Sequence, residues 1–317
     1  MKEKKKIVSR RRFLTLGAAS AAGLWVGRSD AFGARFIRGF VNEMGRPIAD
    51  PKTTPKPRDW NPNAITAAWL GHSTVLVNFY GLTILTDPVL MHRIGAGVGV
   101  GTVGPKRLIA PALEVDHLPR IDLVLLSHAH FDHFDIPTLK ALPHGSKAIT
   151  ARRTSDLLVG TPMKCASELG WGDKTTIHTA HGEAEIEAFE VRHWGARWRR
   201  DKYRGYNGYI VSREGKKIIF GGDTALTDKF RPLRSKGPFE LAIMPIGSYK
   251  PFECSHCTPE QAVQMTNDAG AKYLLPIHHK TFMLGREPRS EPVQRLENAL
   301  EHERIGWRNV GETFLAA

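Results

Sequence analysis

The stretch SHAHFDHFD, residues 127–135, places three histidines and two aspartates within nine residues. It follows IDLVLL (121–126), a continuous apolar run of the kind that forms a strand buried on both faces. Side chains two apart on a strand point the same way, so His128 and His130 are expected to share a face. Asp132 and His133 follow where the chain turns into the short helix expected for IPTLKAL (136–142). Imidazole nitrogen and carboxylate oxygen bind zinc at about 2.0–2.2 Å. Two cations about 3.5–4 Å apart need roughly six protein ligands around a shared water. Other strand ends must therefore supply the rest.

They carry the right residues. His193 closes EIEAFEVRH (185–193), Asp223 closes the second strand of NGYIVSREGKKIIFGGDT (207–224), and His278 closes KYLLPIH (272–278). A strand that ends on a polar residue is commonplace, and each of these alone means little. Beside H-x-H-x-D-H they form a set. The surrounding chain alternates strands and helices loosely. ITAAWL (65–70), TVLVNF (74–79) and LTILT (82–86) are short and β-branched, and Tyr80-Gly81 joins the last two as a tight hairpin. Glu214-Gly215 marks a second hairpin, and FELAIMPIG (239–247) reads as another buried strand. TPEQAVQMTNDAG (258–270) has the punctuation of a helix: Thr258 caps it, Pro259 takes its first turn, Gln261 completes the capping box and Gly270 stops it. EPVQRLENALEHER (291–304) reads as a last helix. The glycine-rich VGVGTVGPKRL (98–108) lacks the context of a phosphate loop and is expected to be a connector or a wall of the site. The pattern implies an α/β fold with two packed sheets and helices outside, in one domain over 63–317.

The blocks AAWLGHSTVLV, TDPVL, GPKRL, LPRIDLVLLSHAHFDHFD, VRHW, IIFGGDTAL, GPFELAIMPIGSYKP, SHCTPEQAV and IHHKTF occur in order between about residues 65 and 283. In these blocks the chain resembles the metallo-β-lactamase-fold hydrolases. Within them it resembles the branch that hydrolyses N-acylphosphatidylethanolamine as a phospholipase D, with its bacterial relatives. The resemblance implies a four-layer αββα sandwich and two Zn²⁺ ions. His128, His130 and His193 would hold the first, Asp132, His133 and His278 the second, and Asp223 would bridge them. Three neutral imidazoles suit a tight site, and two carboxylates offset charge where a second dication must sit close by. A water shared by the metals would be acidified to become the nucleophile. The resemblance selects His278 over the adjacent His279. Zinc β-lactamases of the commonest type carry a cysteine at the position of Asp223, which argues against antibiotic hydrolysis here.

Further residues have weaker grounds. Asp132 is expected to serve the chemistry as well as the metal. His256 aligns with a family histidine at the mouth of the site, for substrate contact or proton transfer to the leaving group. His72 in WLGHST and Asp87 in LTDP are candidates to fix the ligands from behind, or are simple turn residues. Asp135 is a weaker candidate of that kind. WGARWRRDKYRGYNGY (194–209) interleaves Arg197, Arg199, Arg200, Lys202 and Arg204 with aromatic residues. It reads as a basic, aromatic rim for an anionic headgroup or membrane surface, with Arg197 and Tyr206 contacting substrate, or as a solvated loop. Here the chain departs from the animal phospholipase pattern. His92, His117, His144, His178, His181 and His302 are expected at the surface.

The 317 residues are 41% hydrophobic and 24% charged, as in ordinary globular proteins. The net charge of +13 is partly local: seven cations in the first twelve residues, less Glu3, account for +6 of it. The remainder is too modest to suggest a nucleic-acid partner. SRRRFL (9–14), followed by the weakly apolar LTLGAASAAGLWVG (14–27), resembles a twin-arginine export signal. Residues 1–33 are read as that segment, cleaved near Ala31 or Gly33 or retained as an anchor. The protein is expected in the periplasm or on the outer side of the inner membrane. RPIADPKTTPKPRDWNP (46–62), with five prolines, lies in an expected linker over 34–62. Export would permit a disulfide between Cys254 and Cys257; free thiols are the alternative. The combined reading is a zinc phosphodiesterase acting on a small-molecule or phospholipid substrate, with peripheral membrane contact. A lactonase or other ester hydrolase on the same metals is the second reading. A non-catalytic binder of anionic lipid or nucleic acid is the third. A homodimer is compatible with each.

Overall fold

The computed structural model of the chain describes residues 43, 45–97, 101–163, 166–198 and 200–316. The signal segment, residues 34–42 of the linker, the start of the glycine-rich loop, Cys165 and Arg199 lie outside the described residues. The strands in chain order are β1 Ile65–Gly71, β2 Thr74–Phe79, β3 Leu82–Thr86, β4 Ala96–Gly97, β5 Thr102–Val103, β6 Leu123–Leu126, β7 Lys147–Ala151 and β8 Ser167–Leu169. They continue with β9 Lys174–Thr179, β10 Gly182–Phe189, β11 Gly208–Arg213, β12 Lys216–Phe220, β13 Phe239–Pro245, β14 Ala271–Ile277 and β15 Thr313–Leu315.

Two mixed sheets result. One has the order β15-β1-β2-β3-β6-β7-β8 and the other β14-β13-β12-β11-β10-β9, while β4 and β5 pair with each other. β1, β2 and β3 form an antiparallel meander, and β6, β7 and β8 add in parallel to β3. In the second sheet β9 to β12 are antiparallel, and β13 and β14 continue in parallel from β12. Tyr80-Gly81 and Glu214-Gly215 have positive φ at both positions (51° and 83°, 50° and 70°), the twist that joins antiparallel strands most tightly.

Alternation along the strands assigns their faces. Ile218, Phe220, Leu241, Ile243, Leu275 and Ile277 pack between the sheets against Leu76, Leu85 and Leu125. Their neighbours Ile219, Ala242, Met244 and Leu274 face outward and are covered by Ala262, Met265 and Leu296 of the helices Pro259–Ala269 and Glu291–Ala299. On the first sheet the outer layer is thin, comprising the helix Ile136–Ala141 and the 3₁₀ turn Ser155–Leu158. This is the four-layer αββα order. The helix at 259–269 has the expected capping box and ends on Gly270 at φ 78°. The last helix stops earlier than its pattern suggested: Leu300 is extended and His302–Arg304 form a separate 3₁₀ turn. Asp135 serves as the N-cap of Ile136–Ala141, accepting from the Thr138 backbone N–H and hydroxyl. The described part of the proline-rich stretch lies against the domain, with the Arg46 guanidinium on the carbonyls of Lys106 and Arg107. Among the described residues no helix is long and apolar enough to cross a membrane.

Candidate metal centre

β1, β3 and β6 run one way in the first sheet, as β10, β12, β13 and β14 do in the second. A crevice beyond the carboxyl ends of such strands is where α/β sheets bind ligands. The chemistry-bearing residues gather there, one to seven residues past the strand ends and not on the strands themselves. His128 lies in the loop after β6, held by an isolated bridge to Tyr206.

Two groups form. Ligating atoms of His128, His130 and His193 all lie within 4.8 Å of one another, as do those of His72, Asp132, His133 and His278. In the first group His128 Nε2 is 2.8 Å and His193 Nε2 3.3 Å from His130 Nδ1. Asp223 sits between the groups, its Oδ2 3.0 Å from His133 Nε2, 3.1 Å from His278 Nε2 and 3.9 Å from His193 Nε2. Gly222 makes that approach possible. Its φ of 56° strains any other residue, and a Cβ there would come within 2.8 Å of Ser127 Cβ. Neither oxygen of buried Asp223 has a donor in hydrogen-bonding geometry, and His130 Nε2, His133 Nε2 and both His278 nitrogens also lack partners. A buried carboxylate left so is costly unless a cation compensates it. The donor set, imidazole with carboxylate, fits zinc.

A supporting layer orients the rings. Asp87 Oδ2 accepts from His133 Nδ1 at 2.6 Å, which leaves Nε2 facing Asp223. Asp87 also accepts from the Ser127 backbone N–H (2.7 Å) and hydroxyl (2.5 Å), and the Ser127 oxygen is 2.8 Å from His128 Nδ1. His193 Nδ1 donates to the Ser255 carbonyl at 2.8 Å. His72 Nε2 contacts Asp132 Oδ2 at 3.0 Å. The backbone of His72 is pinned by Thr281 Oγ1 at its N–H and by the His278 N–H and Trp69 indole at its carbonyl. His72, Asp87 and His278 all have positive φ (50°, 30° and 65°), strain of the kind that persists at functional sites.

Charge divides the groups. Burial holds His128 and His193 far below the usual histidine range and lowers His130 to about 4, so these rings are neutral. Burial would lower His133 and His278 too, but Asp223 and Asp132 outweigh it: His278 is raised to about 9 and His133 well above its ordinary value. Burial likewise opposes ionisation of Asp132 and Asp223, and the imidazoles, His133 first, hold both well below the carboxylate range.

The structure thus brings together all seven residues proposed as ligands, and puts His72 and Asp87 in contact with them. His256 lies at the mouth, 14% exposed, with Nδ1 3.7 Å from Asp223 Oδ2 and its ring beside His193 and His278. His279 turns away and stacks on Trp69 at 4.4 Å. Tyr206 borders His193 with ring centroids 6.4 Å apart. Arg197, expected on substrate, faces inward: its guanidinium donates to the carbonyls of Ala129 (3.0 Å) and Phe134 (2.7 Å) and lies over Phe131. Arg204 is buried on Asp156 and Asp201. Trp194, Trp198, Tyr203 and Phe252 remain exposed, as do Arg200 and Lys202. The six histidines expected at the surface are exposed. Cys254 and Cys257 are free thiols, Cys257 buried with its Sγ on the Pro245 carbonyl. Ser127 and Ser255 were not anticipated. Ser127 had one signal, its place directly before the first ligand.

Known proteins share this sequence pattern and fold. The model of the Beta-lactamase superfamily domain matches residues 83–279. An uncharacterized protein of Mycobacterium tuberculosis is 32% identical over 277 residues, covering 83% of this chain and 72% of that protein. N-acyl-phosphatidylethanolamine-hydrolyzing phospholipase D 1 of Caenorhabditis elegans is 30% identical over 254 residues, covering 75% of this chain and 70% of that one. A metallo hydrolase from the archaeon Ignicoccus hospitalis shares the fold, with a TM-score of 0.60 at 22% identity over 80% of this chain and 98% of the other. The chain belongs to the metallo-β-lactamase superfamily and is a metal-dependent hydrolase of that family.

Proposed function

We propose that the protein is a dinuclear zinc phosphodiesterase of phospholipase D type that acts on N-acylphosphatidylethanolamine-like lipids. The observation that carries the reading is the convergence of five imidazoles and two carboxylates at one end of the sheets, with the buried Asp223 between them within 3.0–3.1 Å of His133 and His278 but in hydrogen-bonding geometry with neither. His128, His130 and His193 would hold one ion, Asp132, His133 and His278 the other, and Asp223 would touch both. Two such dications supply polarisation of a phosphoryl oxygen, acidification of water and neutralisation of charge that builds during in-line displacement. His256, at the mouth above Asp223, is placed to give a proton to the leaving oxygen. Trp194, half exposed with its ring 4.3 Å from His130, and exposed Phe252 near His256 offer an apolar rim to acyl chains. Arg200 and Lys202 add positive charge for an anionic headgroup and for peripheral contact with a membrane. The identity to the Caenorhabditis elegans lipase supports the substrate class.

Metal analysis of purified protein, alongside turnover of N-acylphosphatidylethanolamine vesicles, a chromogenic phosphodiester and a lactone, tests the reading. Two zinc ions per chain and diester turnover are expected. Turnover of the lactone alone would replace the reading with an ester hydrolase, and no turnover by the metallated protein would favour a binder. Export by the twin-arginine route to the periplasm belongs to the same proposal. Replacing Arg10, Arg11 and Arg12 with lysine should leave the protein in the cytoplasm, and unchanged periplasmic accumulation would refute it.

A further inference from the structure

We infer that a cavity on the outer side of the second sheet is a binding site for a small zwitterion, in which a phosphate or carboxylate is joined by a short chain to an ammonium group. The cavity holds about 350 Å³, the lower end of the range for small-molecule sites. Arg192 enters it from the loop before His193, Leu226, Asp228 and Arg231 from the turn after Asp223, and Gln264 and Asp268 from the helix Pro259–Ala269. None of these residues belongs to the metal centre, so the inference holds whatever metal the protein carries.

The wall of the cavity is preformed. Phe230, within the turn, is fully buried with its ring 5.3 Å from that of Phe189. The Arg192 backbone is held on both sides: its N–H donates to the Thr224 hydroxyl at 3.0 Å, and its carbonyl accepts from the Ala225 N–H at 2.8 Å. A ligand therefore meets a shape that need not be ordered first.

Its charges select the ligand. Two guanidinium groups and two carboxylates line the cavity. A plain anion meets both carboxylates there and a plain cation both guanidinium groups, whereas a molecule with one charge of each sign is complementary. One pair is already made, with Arg231 Nε donating to Asp268 Oδ2 at 3.4 Å. Lys229, beside the cavity, is engaged by Glu190 at 2.7 Å. Arg192 and Asp228 are left over: among the described residues neither side chain has a hydrogen bond or an ion pair. A guanidinium fork takes phosphate or carboxylate, and Asp228 can take the ammonium. The hydroxyl of Thr227, also in the lining, accepts the Lys229 N–H at 3.4 Å and keeps its own proton to donate. The Gln264 amide offers both a donor and an acceptor. Half-buried Leu226 gives the connecting chain an apolar contact.

The experiment is calorimetric titration of the intact, zinc-loaded protein with glycerophosphoethanolamine and with L-serine. Dimethyl phosphate and ethanolamine serve as single-charge controls, and circular dichroism checks the fold of each variant. At least one zwitterion should bind with a Kd of about 1 mM or tighter, and both controls about tenfold more weakly. Arg192→Met and Asp228→Asn should each weaken binding about three- to tenfold, the range for a partly exposed charged contact. Gln264→Trp, which fills the cavity from an exposed helix position, should abolish binding, and Lys229→Met, outside the lining, should leave it unchanged. Binding of neither zwitterion, or equal binding of a control, overturns the site. Binding that survives Gln264→Trp overturns it too, by putting the probe elsewhere, the metal centre included. Vesicles of phosphatidylethanolamine separate two sources of the same chemistry. Co-sedimentation that Gln264→Trp abolishes assigns the ligand to a membrane headgroup; binding of the free zwitterion without it assigns a soluble molecule.

Discussion

His128, His130 and His193 face one another and keep neutral rings, whereas His133 and His278, a few ångströms away, face Asp132 and Asp223 and hold protons. His133 and His278 are at least as buried as the three neutral rings, so burial does not make the difference; the carboxylates do. The first pocket is ready for a cation as it stands. The second must exchange protons for one, and its carboxylates would offset the charge of the two dications proposed for the site.

The sharpest way to break this contrast is to remove the carboxylate shared by both pockets. Asp223→Asn should lower kcat/KM for a chromogenic phosphodiester on the order of 10³-fold and reduce bound zinc to one ion per chain. Two ions retained at wild-type affinity would mean that Asp223 does not join the pockets. Asp132→Asn touches the second pocket alone. The expected loss there is on the order of 10²-fold or more, with the first ion still bound in a zinc titration.

pH separates the pockets without mutation. His278 titrates near 9, so below that value its ring is protonated and a cation must displace the proton. Affinity for one of the two ions should therefore fall at least tenfold per unit as pH drops from 9 to 6, and more steeply where His133 holds its proton as well. Affinity for the other should stay flat down to about pH 5, because His130 titrates near 4. Two ions with the same pH slope, measured by chelator competition, would erase the distinction. The smallest effect concerns the loop under the first pocket. Arg197→Met strands two buried carbonyls and should destabilise the fold by about 1–3 kcal/mol, read as a lower midpoint in urea, while the second pocket keeps its affinity.

How much of this was legible in the sequence depends on what kind of group does the work. The candidate ligands were visible because coordination demands particular side chains, and H-x-H-x-D-H has no cheaper explanation. The hairpins and the capped helix were visible because glycine, proline and threonine mark backbone geometry locally. The edge strands β8 and β15 have three residues each and no clear alternation, so their pairing is decided by neighbours far away in sequence. Ser255 acts on His193 through its carbonyl, which every residue possesses, so no letter could announce it. Arg197 looked like a surface cation because charge alone does not say which way a long side chain turns. The positive φ of His72, Asp87 and His278 was equally hidden, since none of them is glycine.

The segment 246–258 carries Phe252 and His256 at the mouth and also the Ser255 carbonyl that fixes His193. The Ser255 and His256 backbone N–H groups both return to the Phe252 carbonyl at 2.9 Å, so Phe252, His256 and the carbonyl that anchors His193 share one small turn. Engineers who graft a new loop here to change substrate preference will disturb the anchor of His193 in the same stroke. The exposed Trp194 and Trp198 can be exchanged without touching that anchor.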